Sequence, residues 1–426
     1  MALYEDIYHT FRENIKQGVY SPGERLPSIR ETAEKFNCNK ITVQKAFERL
    51  KNEGLIDNQV GRGSFVCFPD TPAGQQHVGF PFHSAYICDD LFPADQAFEL
   101  FDQMFREEGH LFDTGPMEGD SELVEALSSR YKVDHERTII ISGAQQGLNL
   151  CRTLYNLNIS EHMLFEDPTY SGAISIFRPK HFVELEPDGP DLNRLKQLMK
   201  GKARFFYTIP QVHNPTGISY SKGKMDEIAR LAEEHNVFII EDDYLSEFAD
   251  HPGERFIDRI PHRTIYIKSL SKVTAPGIRL GFMTVPGAMY QDFIRGKFSA
   301  DLGTSLLMQR FFVRFISSGL LDRHLQKCRT LLGSRKKTIE SVIGKYPFLR
   351  IPAQQSGYNI WIESSIPLPG EHVPWAKGEH FSFSSRWTDS FRLSLLGMGD
   401  RDFQNGASYL DSLFQSCSRN SSRPVL

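Results

Sequence analysis

One lysine, Lys272, stands among hydroxyl and guanidinium groups in a segment that is otherwise largely apolar. Residues 266–282 read YIKSLSKVTAPGIRLGF, in which Ser269 and Ser271 precede Lys272 and Arg279 follows it. A partly buried lysine at the end of a strand can lose its proton and form a Schiff base with an aldehyde. Hydroxyl and guanidinium donors suit a phosphate group. The segment therefore predicts a site for a phosphorylated aldehyde, and the alternative is an ordinary lysine on a surface loop.

Two short motifs after other strand-like segments add an anion site and an amide donor. Gly143, Ala144 and Gln145 follow IIIS and open a helix, whose unpaired N–H groups and dipole favour a phosphate. Asn214 lies in HNPTG, where its amide could donate to a phenolate-type oxygen. Because many strand-to-helix turns and loops look similar, neither motif identifies a ligand by itself.

Three consecutive carboxylates follow the segment VFII. Glu241, Asp242 and Asp243 would repel one another without a neutralising cation. We expect one of them to face a protonated ring nitrogen of a ligand and the others to be solvated. A metal site is the alternative, but no histidine stands nearby and we predict none. Phosphate, aldehyde, ring nitrogen and phenolate together describe pyridoxal 5′-phosphate (PLP), which we predict as the cofactor.

The order of the elements predicts where these side chains meet. Apolar strand-like segments at 137–143, 203–210, 237–244 and 263–270 alternate with longer helical patterns. This alternation is typical of an α/β domain with a mostly parallel sheet, whose ligands bind at the carboxyl ends of the strands. Each group named above follows a strand, so we expect a single site at that edge of the sheet.

The first seventy residues follow a different plan. An apolar residue at every fourth position over 3–15 predicts one helix, a capping box opens a second, and Asn39 caps a third over 40–53. Two alternating segments around residues 61–63 predict a β-hairpin. This is the α+β plan of a winged helix-turn-helix, whose third helix enters the major groove of DNA. Ten basic residues balance ten acidic ones here, so the net charge of this part does not indicate DNA binding. A protein-docking module is therefore the alternative to a DNA-binding domain.

A long N-terminal string carries a family resemblance. PGERLPSIRETAEKFNCNKITVQKAFERLKNEGLIDNQVGRGSFV resembles the GntR-type DNA-binding domain nearly end to end. The resemblance implies contacts with double-stranded DNA from the second helix, the start of the third helix and the wing. Amide and ammonium groups there suit base edges and phosphates. The predicted DNA-binding residues are Arg25, Ser28, Arg30, Asn39, Lys40, Thr42, Gln44, Lys45, Arg62 and Gly63.

Five later motifs, in order, resemble the PLP-dependent fold-type I aminotransferases. They are FEDPTYSGA, HNPTG, IIEDDYLSEF, SLSKVTAPGIRLGF and FRLSL, and the resemblance covers roughly residues 90–415. It implies that Lys272 holds PLP as an internal aldimine and that Asp242 pairs with the protonated pyridine nitrogen. It also implies that Arg392 binds the carboxylate of a substrate or effector through two hydrogen bonds.

The same resemblance assigns the remaining cofactor contacts. Tyr170 would stack on the ring, and Asn214 and Tyr244 would contact its hydroxyl oxygen. The implied phosphate ligands are Ala144, Gln145, Ser269, Ser271 and Arg279. Where the family has a tyrosine that reaches the neighbouring subunit's phosphate, this chain has Thr114.

Both halves together resemble the MocR subgroup of GntR regulators. The resemblance implies a bacterial transcription regulator that forms a homodimer, with each DNA-binding domain swapped over the partner. The predicted domains are a DNA-binding domain (1–69), a linker (70–85), an aminotransferase-like domain (86–417) and a frayed tail (418–426).

We predict a regulator in which a small amino compound, the effector, forms an external aldimine with PLP and thereby changes DNA binding. A genuine aminotransferase with an accessory DNA-binding domain is the second hypothesis, ranked lower because Thr114 replaces the tyrosine. A regulator that senses PLP itself is the third.

The composition of the chain indicates the cellular compartment in which we expect the protein. The net charge is −4, and the six cysteines form no CxxC pair, which suggests a reducing cytosol. The N-terminal residues do not resemble a signal peptide and no apolar segment is long enough to span a bilayer. We therefore expect a cytoplasmic protein that does not bind membranes.

Overall fold

The computed structural model describes residues 3–16, 19–20, 24–53, 55–59, 63–66, 80–155, 162–177, 180–251, 253–369, 373–382 and 385–421. Residues 3–66 form the part that we call the head, and residues 80–421 form the larger part that we call the body. The predicted DNA contact Arg62, residues 70–79 of the predicted linker and residues 422–426 of the predicted tail lie outside the described residues.

The head contains three helices and a hairpin, as predicted. The elements are α1 (Leu3–Lys16), α2 (Ile29–Lys35), α3 (Lys40–Asn52), β1 (Ile56–Gln59) and β2 (Gly63–Val66). β1 and β2 are antiparallel, with Ile56 opposite Val66 and Gln59 opposite Gly63. Their apolar side chains form a core with Ile7, Phe11, Val43, Ala46, Phe47 and Leu50.

Side-chain caps define where the second and third helices begin. The Ser28 hydroxyl accepts a hydrogen bond from the Glu31 amide, and the Glu31 carboxylate accepts one from the Ser28 amide, so the predicted capping box is confirmed. Asn39 caps α3 because its Oδ1 accepts a hydrogen bond from the Thr42 amide at 2.8 Å.

The body is built on a large sheet. Its strands are β3 (Thr138–Ile141), β4 (His162–Asp167), β5 (Lys180–Glu186), β6 (Gly189–Pro190), β7 (Ala203–Thr208), β8 (Phe238–Asp243), β9 (Thr264–Ser269) and β10 (Gly281–Thr284). In the described part of the chain the strand order is β3-β10-β9-β8-β7-β4-β5-β6. Neighbours from β9 to β5 are parallel, whereas β10 and β6 pair antiparallel. The prediction of a mostly parallel sheet in an α/β domain is therefore confirmed.

Helices cover the sheet and continue into a smaller C-terminal sheet. The helices are α4 (Ala94–Glu107), α5 (Ser121–Tyr131), α6 (Ala144–Tyr155), α7 (Ser171–Ile176), α8 (Leu192–Met199), α9 (Lys222–Glu234), α10 (Phe256–Arg259), α11 (Tyr290–Asp301), α12 (Leu306–Ser317), α13 (Leu320–Ile343) and α14 (Asp400–Ser421). The smaller sheet contains β11 (Leu349–Arg350), β12 (Asn359–Ser364), β13 (Ala376–Lys377) and β14 (Ser390–Ser394), in the order β11-β12-β14-β13. None of the helices in the described ranges is long and apolar enough to cross a membrane.

The packing of the chain suggests different positions for two predicted boundaries, the end of the linker and the start of the tail. Residues 80–85 were predicted as linker, yet Phe82 is fully buried in the body and its carbonyl accepts a hydrogen bond from the Ser394 amide at 2.7 Å. We therefore propose that the body begins at Phe80. The predicted tail begins inside α14, which continues to Ser421 and packs against the body through Phe403, Leu410 and Phe414.

Candidate cofactor and DNA-binding sites

One cavity gathers every residue that we predicted to contact the cofactor. Its volume is about 320 Å³, and it lies at the carboxyl ends of the parallel strands. Its predicted lining residues are Ala144, Gln145, Tyr170, Asn214, Asp242, Tyr244, Ser269, Ser271, Lys272 and Arg279. These residues are up to 135 positions apart in the chain, and the sheet brings them together because each follows a strand. Lys272 is half-buried in the cavity wall, so it is not an ordinary surface lysine.

The end of the cavity near α6 collects donors suited to a phosphate. Arg279 has left-handed backbone angles (φ 48°, ψ 44°), and its Nη2 donates to the Ser142 carbonyl at 3.0 Å. The guanidinium thus lies against the turn from β3 to α6. A Cβ at Gly143, which itself has φ of +92°, would come within 2.9 Å of Arg279 Nη2. The turn therefore requires glycine there, both for its backbone angles and for the close approach of the arginine.

Tyr170 forms a second wall of the cavity. A Cβ on Gly172 would lie 2.4 Å from the Tyr170 ring, so this glycine lets the ring lie flat against the start of α7. The Tyr170 hydroxyl is 3.4 Å from Gln145 Oε1, to which it donates. The ring position is compatible with the stacking role that the resemblance implies.

Asp242 is the buried acid that lines the cavity. It is 3 % exposed, and its Oδ2 accepts a hydrogen bond from the Tyr207 hydroxyl at 2.6 Å. Its Oδ1 has no hydrogen-bond partner among the residues that the structure describes. Burial raises the pKa of Asp242 to about 6, and the neighbouring Asp243 charge adds to this, while the hydrogen bond from Tyr207 opposes it. A buried carboxylate oxygen without a donor is the group that a protonated ring nitrogen would satisfy.

The other two carboxylates of the triplet are not solvated, and that expectation was wrong. Asp243 Oδ1 lies 2.8 Å from the buried Lys268 ammonium, and its Oδ2 accepts from the Tyr266 hydroxyl at 2.5 Å. Burial acts to raise the pKa of Asp243, but Lys268 outweighs it and the net shift is downward. Glu241 instead accepts from the Phe256 and Ile257 amides at the start of α10, at 3.1 and 2.9 Å. Its burial raises its pKa to about 8.

Arg392 lies behind Asn214 rather than in the cavity wall. It is 4 % exposed, and its Nη1 donates to Asn214 Oδ1 at 2.8 Å. Its Nη2 donates to the His83 carbonyl at 3.0 Å, and its guanidinium carbon is 4.9 Å from the centre of the Phe381 ring. Nearby, the Tyr244 hydroxyl accepts from the Asn359 amide at 3.2 Å. Arg392 and Asn214 are therefore in direct contact through a side-chain hydrogen bond.

Several cavity residues escaped the sequence analysis. They are Tyr86, Gly172, Ser175 and Ile209. Tyr86 is the most informative, because the Lys272 ammonium lies 3.6 Å from the centre of its ring. No spacing signal could have found Tyr86, since it precedes the first element of the body and is distant from every motif.

The residues present fit PLP. The cavity offers an amine at Lys272, a buried acceptor at Asp242 Oδ1, and hydroxyl and guanidinium donors beside a helix N-terminus. Among the described residues no cluster of three or more His, Cys, Asp or Glu could hold a metal ion.

The predicted DNA-binding residues lie on the head near α3 and the wing. Asn39, Lys40, Gln44 and Lys45 are exposed at the N-terminal end of α3. Ser28 and Thr42 are half-buried, because Ser28 caps α2 and the Thr42 hydroxyl donates to Asn39 Oδ1 at 2.8 Å.

Arg25 and Gly63 connect the wing to the rest of this face. Arg25 forms a β-bridge with Phe65, and Gly63 with φ of +112° lies against the Arg25 guanidinium. Arg30 is exposed on α2 and pairs with Glu34 at 3.1 Å. The sequence analysis missed Ile41, which is 64 % exposed beside these residues and could contact a thymine methyl group.

Comparisons with known proteins support both the DNA-binding head and the aminotransferase-like body. Residues 88–364 match the family model for aminotransferase class I and II, and residues 3–66 match that for bacterial regulatory proteins of the gntR family. The HTH-type transcriptional regulator YcxD of Bacillus subtilis is 27 % identical over 80 % of this chain and 80 % of its own length. YdfD of the same species is 28 % identical over 85 % of this chain and 84 % of its own.

The chain also resembles aminotransferases. The 2-aminoadipate transaminase of Thermus thermophilus is 27 % identical over 66 % of this chain and 74 % of its own length. The structure of α-aminoadipate aminotransferase LysN from the same species, complexed with N-(5′-phosphopyridoxyl)-L-leucine, covers 79 % of this chain and 92 % of its own. It has a TM-score of 0.72 at 24 % identity, which shows the shared fold. The chain thus belongs to the aminotransferase class I and II family and carries a GntR-family helix-turn-helix head, a combination consistent with a MocR-type fusion.

Proposed function

We propose that this protein is a PLP-dependent transcription regulator whose binding to double-stranded DNA responds to a small amino compound. The observation that supports it best is the cavity, where ten predicted cofactor residues meet and Asp242 Oδ1 has no hydrogen-bond donor among the described residues. The head with its exposed α3 residues supplies the DNA-binding half.

The residues of this chain divide the work of holding the cofactor. Bound PLP would supply an aldehyde that exchanges the amine of Lys272 for the amine of the effector. Asp242 would hold a proton on the ring nitrogen, and Asn214 and Tyr244 would donate to the ring oxygen. Ala144, Gln145, Ser269, Ser271 and Arg279 would bind the phosphate, and Tyr170 would cover the ring face.

Arg392 indicates the chemical class of the effector. Its guanidinium is buried, and two of its nitrogens donate to neutral oxygens, those of Asn214 and of the His83 backbone. A carboxylate or sulfonate would be a stronger acceptor than either oxygen. We therefore propose an effector that combines a primary amine with an acidic group.

A homodimer would cover apolar surface that the single chain exposes. Phe98, Phe105 and Phe112 are 72, 50 and 81 % exposed, and Phe298 and Leu302 are 59 and 62 % exposed. The Phe105 and Phe112 rings are stacked with their centres 6.1 Å apart, and contiguous exposed apolar surface of this kind marks protein interfaces. Two heads in a cytoplasmic dimer would read a two-part operator, whose half-site spacing matches their separation.

The first test is the visible absorption spectrum of the purified protein with PLP, before and after borohydride. We expect a yellow band on the wild-type chain that borohydride bleaches while it attaches the cofactor covalently to Lys272. Lys272→Ala should lack both the band and the covalent attachment. The matched control is Lys222→Ala, at a lysine that is 74 % exposed outside the cavity, which should keep the band. A wild-type protein that stays colourless with excess PLP would contradict the proposal, and so would a DNA affinity that no amine changes.

A working aminotransferase is the second candidate. Lys272, Asp242 and Arg392 are all positioned in or beside the cavity, and the transaminase from Thermus thermophilus resembles the body. Steady consumption of an amino donor with a keto-acid acceptor, abolished by Lys272→Ala, would favour this candidate. A DNA affinity that responds to PLP without any amine would instead favour a sensor of PLP itself.

A further inference from the structure

Residues 80–86, which we call the strap, are the first described residues after the connection from the head. They carry no helix or strand. Phe82 anchors the strap, because it is fully buried and its ring centre lies 6.1 Å from that of Phe403 on α14. Its carbonyl also accepts from the Ser394 amide at 2.7 Å, beside the strand residue Arg392. The strap is therefore attached to the strand that carries the proposed effector-binding arginine.

The other end of the strap lies on the proposed Schiff-base lysine. The Tyr86 ring centre is 3.6 Å from the Lys272 ammonium. The Tyr358 hydroxyl lies 3.0 Å from the Ala85 carbonyl and 3.2 Å from the Lys272 carbonyl, so it joins the two backbones. At the middle of the strap, the His83 carbonyl accepts from Arg392 Nη2 at 3.0 Å.

Both contacts depend on the state of the binding residues. A ring face attracts Lys272 only while its nitrogen is a positively charged ammonium near the ring. An acidic group arriving at Arg392 would compete with the neutral His83 carbonyl for the same donor. PLP bound to Lys272 would thus weaken the Tyr86 contact, and an acidic effector at Arg392 would weaken the His83 contact. The Phe82 anchor and the Tyr358 hydrogen bond to Ala85 remain.

We propose that the strap reports ligand occupancy to the head, with Tyr86 as its positioning residue. The inference rests on the proposed function and adds the route by which the cavity reaches the connection to the DNA-binding head. Because coupling is reciprocal, DNA that constrains the connection would also change the affinity of the cavity for PLP. The sequence analysis assigned Tyr86 to no role.

Two variants at Tyr86 separate the ring face from the hydroxyl. Tyr86→Phe keeps the aromatic ring and loses the hydroxyl. Tyr86→Leu keeps an apolar side chain but has no aromatic ring. The measurement is amide hydrogen exchange of the full-length protein over residues 80–88, with and without PLP, while absorbance reports PLP binding. In wild type and Tyr86→Phe we expect PLP to accelerate exchange about 2- to 30-fold, the range for one lost cation–π contact. Tyr86→Leu should exchange at the faster rate without PLP and respond to it less than twofold.

The outcomes distinguish this inference from the function on which it rests. A yellow wild-type protein whose strap exchange does not change with PLP overturns the inference and leaves PLP binding intact. A protein that PLP cannot colour overturns both. If Tyr86→Leu responds to PLP as wild type does, Tyr86 is not the positioning residue and the inference fails. If the strap responds to PLP but the DNA affinity is insensitive to PLP and amines, the strap does not report to the head, and both the inference and the regulatory function are contradicted.

Discussion

The three adjacent carboxylates Glu241, Asp242 and Asp243 have three different sets of partners in this fold. Glu241 caps a helix, Asp243 pairs with Lys268, and Asp242 lines the cavity with one oxygen lacking a hydrogen-bond donor in the described part of the chain. Successive side chains of a strand alternate between its two faces, which separates Asp242 from both neighbours. Asp243 and Lys268 belong to a buried network with Glu247 and Tyr131, so this side of β8 is structural.

Asp242→Asn should stabilise the protein without PLP while weakening PLP binding. Because folding raises the pKa of Asp242 to about 6, stability falls as the pH rises from the unfolded pKa through that value. Asparagine removes this cost, so we expect a gain of about 3 kcal/mol at pH 8 and about half of that at pH 5. PLP affinity should fall about tenfold or more, because the charge-assisted hydrogen bond to the ring nitrogen is lost.

Urea unfolding at both pH values and a PLP titration by absorbance measure these effects. Asp250→Asn, at a surface carboxylate, is the control and should change neither quantity. Equal stability of the Asp242 variant and the wild type at pH 8 would show that the buried charge is compensated by other groups.

Helix ends and turns position the functional groups of both halves. α3 begins at Lys40 because Asn39 caps it, and this presents the exposed side chains of its first turns on one side of the head. Near its other end Arg49 lies 4.0 Å above the Tyr8 ring and 3.7 Å from Glu53, so this arginine holds α1 and α3 together. Arg49 therefore contributes to packing, whereas Lys40 and Lys45 in the first turns remain exposed.

Lys45→Ala and Lys51→Ala should differ although both lysines are exposed on α3. Lys45 is near the N-terminal end, which we expect to enter the groove, whereas Lys51 is in the last turn. We expect Lys45→Ala to weaken binding to all DNA sequences and to reduce the slope of log affinity against log salt by about 1. Lys51→Ala should leave the slope unchanged. Fluorescence anisotropy at several salt concentrations measures both, and equal slopes in the two variants would contradict this placement of α3.

Head and body are joined by a contact that suits exchange between subunits. Arg12 of α1 lies 3.0 Å from Glu379, two residues before Phe381, whose ring packs on Arg392. Residues 67–79 connect the two parts, and a chain of that length can span at most about 45 Å. A swapped dimer would keep the same ion pair but form it between two chains.

A double substitution, Arg12→Cys with Glu379→Cys, tests the predicted swap. We expect a bifunctional thiol reagent, whose arm replaces the length of the two lost side chains, to link two chains, because each head would rest on the partner's body. The linked chains should run as a dimer on a denaturing gel. Each single substitution is a control and should give much less dimer. An internal cross-link that leaves the chain monomeric on the gel would contradict the swap.

Local chemistry determined much of this protein from the sequence. Caps, apolar periodicity and strand ends predicted the head, the parallel strands and most of the cavity residues, because each is set by neighbours within a few positions. Tyr170, Tyr244 and the choice of Asp242 among the three carboxylates came from the resemblance to the aminotransferases. The solvated state expected for Glu241 and Asp243 was wrong, because their partners, at positions 256–257 and 268, are reached only through the packing of the sheet.

Long-range packing determined the rest. The contact between Tyr86 and Lys272 joins residues that no local pattern relates, and it exists because Phe82 and β14 hold the strap over the cavity. The position of Arg392 behind Asn214 likewise depends on how the smaller sheet meets the larger one. Residue types can specify which groups a cofactor needs, but burial and distance between remote segments decide which of them are coupled to one another.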